Sequence, residues 1–382
     1  MKKIISIMLC VLMAFSFSVI AFAENEKLPL QFGEDGKFKI MQVNDTQDTN
    51  NINKKTVEFL KAALQSEEPD LVVIVGDMLS DSFTFPTKER LSDGLRVLAE
   101  IFNDAKVPFA VTYGNHDHQH EDILSIEEMN AVFEEFEYFC NAQGCDPGTF
   151  NLPVLSSDGT HYPLNIYMMD THNKSEKIGG YEGVYPEQVE WYKNTSDALK
   201  VQNNGEVVPS LLFQHIPVKE MHQFYQDGEK GAADSFFNIN DGNWYALNDK
   251  VAVSEENFVG EPPYSEPKSH TTGQYEAWLE KGDIIGAFFG HDHINNFVGV
   301  TDEGITLGYN GGSGFAAYGS GDKRSVRIFE IDENDVENYT TRSVFYGKLT
   351  GDEFDFYPSD LLSADSITKL LRIFYTIFFF LK

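Results

Sequence analysis

Two rhythms of apolar and polar positions alternate along the chain. Residues 37–43 alternate polar and apolar and then turn more apolar, which predicts a first core strand. Residues 53–67 carry Val57, Leu60, Ala63 and Leu64 at helical spacing, and Pro69-Asp70 ends that helix. The unbroken run Leu71-Val72-Val73-Ile74-Val75 reads as a strand covered on both faces. A second helix is expected over 91–103, with Leu95, Leu98, Ile101 and Phe102 inward, and then a strand over 107–113. Further on come a helix at 127–139, a strand at 164–170, a helix at 186–199 opened by Pro186, and a strand at 208–213. From 219 to 270 the pattern dissolves into Gly, Asn, Asp, Pro and aromatics, as in an insertion laid over a core. A short helix at 272–281 and strands at 284–289, 296–300, 305–309 and 325–331 follow. Strand, loop and helix in repetition predict an α/β fold with a largely parallel sheet.

The strand ends carry the chemistry. Five apolar strands run into polar blocks: Asp45, Gly76-Asp77, Gly114-Asn115-His116-Asp117-His118, Gln214-His215 and Gly290-His291-Asp292-His293. In a parallel sheet these fall on one edge, where open α/β folds place ligands. One Asp after a strand is ordinarily a turn residue, and one His a structural hydrogen-bond donor. Five such blocks in one chain point instead to carboxylate, imidazole and amide donors for metal ions.

In this order the blocks resemble the calcineurin-like metallophosphoesterase superfamily, over about residues 38–331. The stretches Gly180-Tyr181-Glu182-Gly183, Trp191-Tyr192, Gln214-His215-Ile216-Pro217 and Tyr309-Asn310-Gly311-Gly312-Ser313-Gly314-Phe315 are similar to its branch of purple-acid-phosphatase-like and Dcr-type phosphatases. The resemblance implies a four-layer α-β-β-α sandwich with the metal site at the carboxyl ends of strands. It implies a hydrolase for phosphate monoesters or diesters that uses two divalent ions, of manganese, iron or zinc. Asp77 would bridge the ions. Asp45 and His293 would hold the first, and Asn115, His215 and His291 the second. His116 would act beside the leaving oxygen, with Asp117 orienting its ring. The family's first block usually reads Asp-x-His, whereas this chain has Asp45-Thr46-Gln47, so Gln47 offers an amide oxygen or holds a water. Met78-Leu79-Ser80-Asp81 follows Asp77 without the tyrosine of purple phosphatases, so no tyrosinate-iron absorption band is expected.

Outside these blocks, His118 and His120 read as exposed loop histidines or substrate contacts. Lys323, Arg324 and Arg327 read as a phosphate clamp or a solvated strand face. His161, His172, His222 and His270 receive no role.

Composition narrows the setting. The 382 residues are 42% hydrophobic, enough for a substantial core in one large domain or two of ordinary size. A net charge of -31 leaves no basic surface to displace the counterions of nucleic acid. Lys2 and Lys3, the apolar stretch 4–20 and Ala21-Phe22-Ala23 predict a targeting segment over 1–23, cleaved after Ala23, and a secreted or cell-surface protein. The phosphoesterase domain is then expected over 24–348, with the insertion at 219–270, and a tail over 349–382. The apolar and basic segment at 367–382 falls short of the roughly 20 residues that span a bilayer. It suits a helix on a membrane surface or one packed on the domain itself. Cys140 and Cys145 would allow a small disulfide loop or two free buried thiols, but cannot complete a Cys-only metal site. A small phosphate ester is the expected substrate. The competing reading is a non-catalytic binding module of the same fold at the cell surface, with Gln47 in its favour.

Overall fold

The computed structural model describes residues 28–361 except 81–84, 141, 143, 176–179, 233–234, 238–241 and 261–272. The targeting segment, the 367–382 segment and the end of the insertion lie outside the described residues.

Two sheets replace the single sheet that the periodicity predicts. The first holds β1 (Lys37–Val43), β2 (Leu71–Val75), β3 (Phe109–Thr112) and two late strands, Ser325–Asp332 and Thr340–Phe345. β1, β2 and β3 run parallel, and the late pair adds antiparallel beside β1. The second sheet holds β4 (Phe150–Val154), β5 (Leu164–Met169), β6 (Ser210–Gln214), β7 (Ile284–Phe289), β8 (Phe297–Val300) and β9 (Thr306–Tyr309), in the order β8-β9-β7-β6-β5-β4. Here β5, β6, β7 and β9 are parallel, while β4 and β8 close the edges antiparallel.

Side-chain alternation builds the layers. Ile40, Val73 and Ala110 of the first sheet pack with Ile166, Leu211 and Phe288 of the second, so the sheets meet face to face. Their neighbours Met41, Val72, Ile74 and Val111 point the other way, onto α1 (Lys54–Glu67) and α2 (Lys88–Ala105). Tyr167, Leu212 and Ala287 leave the second sheet outward, toward helices Pro186–Gln202 and Gln274–Lys281. The result is the α-β-β-α sandwich. Each central strand is buried on both faces, which is why Leu71–Val75 is wholly apolar.

Several elements differ from the periodicity. α2 starts at Lys88 because Thr87 caps it, accepting from the Arg90 N–H at 3.3 Å. The helix expected over 127–139 spans only Ile126–Phe133, and the chain then turns so that the Cys140 N–H reaches the Phe109 carbonyl at 2.7 Å. β4 contains Pro153, which an edge strand tolerates. The described part of the insertion carries a small antiparallel sheet of Tyr225–Asp227, Ser235–Phe237 and Trp244–Leu247. Bridges from Val251 to Gly299 and from Phe258 to Asn296 fasten it beside β8. Cys140 is buried and Cys145 exposed, with no disulfide between them, so neither the disulfide nor a pair of buried thiols is formed.

Candidate metal centre

The loops after β1 and β2 stay paired beyond the strands. Asp45 N–H donates to the Gly76 carbonyl at 3.1 Å, and Gln47 N–H to the Asp77 carbonyl at 2.9 Å. This holds Asp45 beside Asp77. Asp45, Gln47, Asp77 and His291 all have positive φ, between 41° and 73°. Non-glycine residues adopt that region at a cost, and such costs concentrate at functional sites. Gly114 permits the close approach of β3's end: a Cβ there would lie 2.3 Å from Asp77 Oδ1. The four-residue turn α3 (Asn115–His118) follows it.

Two triads of ligand-type atoms result, Asp45/Asp77/His293 and Asp77/His215/His291, each with its atoms within 4.8 Å of one another and with Asp77 in common. His215 Nε2 lies 3.0 Å from Asp77 Oδ2, and His293 Nε2 lies 3.2 Å from Asp45 Oδ1. The outer nitrogens are committed elsewhere. His215 Nδ1 meets the Val75 carbonyl at 2.9 Å, and His293 Nδ1 the Tyr318 carbonyl at 2.7 Å. A carbonyl only accepts, so both Nδ1 atoms carry the proton and both Nε2 atoms face the centre. Metal-binding histidines are held in this way. The Asn115 amide is fully buried, and neither its oxygen nor its nitrogen has a hydrogen-bond partner. Leaving it so costs free energy unless something occupies the centre. Nitrogen and oxygen donors around a shared carboxylate suit two borderline divalent ions.

Charges within the centre are strongly coupled. Burial pushes the Asp77 carboxyl up, but His215 and His116 outweigh it and hold Asp77 well below the usual carboxylate range. Asp45 is likewise held low by His293 and His215 against its burial. Burial pulls His215 down, yet Asp77 and Asp45 raise it to about 10. His291 falls to about 3 through burial and the neighbouring His215. The acidic pair therefore selects positive charge.

All six expected ligand residues gather at this edge, and His116 stands beside them. Its Nε2 is 3.9 Å from Asp77 Oδ2, and its backbone N–H donates to Asp77 Oδ1 at 2.8 Å. The expected role of Asp117 needs correction. Its carboxylate accepts the N–H groups of Met78 at 2.9 Å, Leu79 at 3.0 Å and Gly114 at 3.0 Å, and so staples two loops. Successive residues of a helical turn point about 100° apart, so 116 and 117 diverge while 116 and 119 meet. Gln119 therefore holds the ring, with Oε1 3.0 Å from His116 Nδ1. That i,i+3 pairing was the available signal for Gln119. Gln47 turns its amide nitrogen to Asp77 Oδ2 at 3.2 Å. His118 and His120 are buried rather than exposed. Arg324 and Arg327 are buried too, off any solvated face, and spend their donors on the protein's own groups. Arg324 bonds the carbonyls of Gly314, Ala317 and Gly321 together with Asp360, and Arg327 bonds Asn296, Tyr309 O and Ser343.

Relatives bear on the assignment. The chain is 26% identical over 351 residues to "Probable inactive purple acid phosphatase 29" of Arabidopsis thaliana, covering 82% of this chain and 81% of that protein. It is 25% identical over 344 residues to "Phosphatase DCR2" of Saccharomyces cerevisiae, covering 81% of this chain and 54% of that protein. The solved structure "GAP50 the anchor in the inner membrane complex of Plasmodium" aligns with a TM-score of 0.47 and 10% identity, over 84% of this chain and 87% of that one. Residues 38–295, from β1 through the block that contains His293, match the family described as Calcineurin-like phosphoesterase, and the chain belongs to that family.

Proposed function

We propose that this chain is a two-metal phosphoesterase that hydrolyses small phosphate esters, exported by its first 23 residues. The observation that carries the reading is the pair of buried triads sharing Asp77, with the Nε2 atoms of His215 and His293 turned inward. Asp45 and His293 would hold one ion, Asn115, His215 and His291 the other, and Asp77 both. Two cations there would supply charge neutralisation for the ester and acidity for an attacking water. His116, its side chain 18% exposed and its Nδ1 held on Gln119 Oε1, turns Nε2 toward the centre as the atom that would serve the departing oxygen. Asp117 keeps the loops of Asp77 and Asn115 in register. Gln47, rotated to present its oxygen, would add a weak donor to the first ion. Support for export is the charged start, the apolar stretch and the Ala-x-Ala ending of residues 1–23.

The experiment is hydrolysis of p-nitrophenyl phosphate and bis-p-nitrophenyl phosphate by metal-stripped protein given manganese, ferrous iron, zinc or magnesium. Metal-dependent turnover lost in Asp77→Asn, together with bound metal, is expected. His116→Ala should keep its metal and lose turnover by about 10²–10⁴-fold. A second reading, a non-catalytic binding module, draws on Gln47 and on the words "probable inactive" in the name of the Arabidopsis relative. A folded chain with both ions bound and no turnover on either ester would favour it.

A further inference from the structure

A second cluster of metal-type side chains lies outside the centre. His118 comes from α3, Asp170 follows β5, and His172 stands two residues later. Their ligand-type atoms lie within 4.8 Å of one another. The three side chains are 5%, 3% and 15% exposed.

Hydrogen bonds fix which atoms face inward. The Gln188 amide is oriented by groups of a single polarity: its Nε2 donates to the Asp170 carbonyl at 2.9 Å, and its Oε1 accepts the Tyr185 N–H at 2.6 Å. That Oε1 also meets His172 Nε2 at 2.9 Å, so Nε2 carries the proton. In the neutral ring Nδ1 is then a bare lone pair, 3.9 Å from Asp170 Oδ2. Two acceptors face each other there, an arrangement that a cation between them relieves. On the other side, His118 Nδ1 meets the Glu121 carboxylate at 2.9 Å, which leaves Nε2 pointing at Asp170 at 2.9 Å. Both histidines are thus braced by an outer acceptor and present the inner nitrogen to one carboxylate, the bracing that metal-binding histidines use. Tyr185 stacks on the His172 ring at 3.9 Å and holds it. His172 is also kept at φ 58°.

We propose that His118, Asp170 and His172 form a third metal site for a borderline divalent ion such as zinc, separate from the Asp45/Asp77 centre and independent of whether that centre is catalytic. Imidazole with carboxylate suits zinc. Ligand atoms of a tetrahedral zinc lie about 3.3 Å apart, given bonds of about 2.0–2.1 Å. The two His–Asp170 separations, 2.9 and 3.9 Å, bracket that value. Three protein ligands leave the fourth position to water or an added ligand. The ion would join α3, which follows β3 of the first sheet and carries Asn115 and His116, to the end of β5 in the second. It would therefore brace the active turn from outside.

The test uses the full chain carrying Asp77→Asn, which disables the shared carboxylate of the main centre. Zinc content after equilibrium dialysis is compared with the double variant Asp77→Asn/His172→Gln, and circular dichroism confirms that both are folded. Gln at 172 keeps a neutral polar side chain beside Gln188. The single variant is expected to hold one zinc more per chain than the double variant. Its melting temperature should rise with zinc, and that rise should vanish in the double variant. Cobalt(II) in the single variant should give the intense visible absorption of four-coordinate sites, absent from the double. Equal zinc content in the two folded variants would overturn the site, as would a single variant with no zinc at all. Either result leaves the test of phosphoester hydrolysis untouched.

Discussion

Asp117 separates two accounts of the centre. If it orients the His116 ring, Asp117→Asn harms turnover and little else. If it staples the loops, the same change costs stability. Oδ1 accepts two buried N–H groups, Met78 and Leu79, and Oδ2 accepts the Gly114 N–H. An Asn that keeps its oxygen at the Oδ1 position retains two bonds and turns an NH₂ toward the Gly114 N–H. One buried donor loses its acceptor and faces another donor, a loss of about 1–3 kcal/mol. The flipped amide sacrifices two bonds and is worse. Asp117→Ala strands all three donors and should cost about 3–5 kcal/mol after allowance for relaxation and water entry. Urea denaturation with metal chelated measures both. The expected order is wild type, then Asn, then Ala, with zinc affinity falling in parallel because Asp77 and Asn115 lose their register. Wild-type stability and metal affinity in Asp117→Asn, together with abolished turnover, would refute the staple and restore the carboxylate to the His116 ring.

Other consequences can be measured separately. Gln47→His places an imidazole beside Asp77 and Asp45, so the first ion should bind more tightly, by about tenfold or more in competition dialysis; unchanged affinity would mean that position 47 does not reach the ion. Gln119→Ala should lower turnover with metal content kept, because the His116 ring loses its Nδ1 partner, whereas wild-type kinetics would show that the ring needs no support. Arg324→Met leaves the Asp360 carboxylate without its buried partner and should cost about 3–5 kcal/mol in denaturation, a loss under about 1 kcal/mol counting against it. Burial pulls His118 down, but Asp170 and Glu121 outweigh it and raise it to about 10. The folded state holds that proton more tightly, so the stability from the His118–Asp170 pair is complete below about pH 6.5 and fades as pH rises through about 10. Asp170→Asn should flatten that alkaline decline in chelated protein, and a decline parallel to wild type would contradict it.

The residues of the candidate centre are legible in the sequence because each is local. Asp45, Asp77, Asn115, His215, His291 and His293 stand within a few residues of a strand end, and parallel strands deliver their ends to one edge. What needed the folded chain was the partner of each side chain. Asp117 lies next to His116 in sequence, yet the helical turn sends it to the backbone of Met78 and Leu79. His118 and Asp170 are 52 positions apart and meet only because β5 ends beside α3. Arg324 is a charge in a polar stretch and looks solvent-facing, but the loop at 314–321 wraps its guanidinium in carbonyls. The sheets carry the same lesson. An apolar run such as Leu71–Val75 says that both faces are covered, and helices on both sides would satisfy it as well as a helix and a second sheet. Only the long-range pairing of Ser325–Asp332 with β1, and the packing of Val73 against the second sheet, decide for the sandwich.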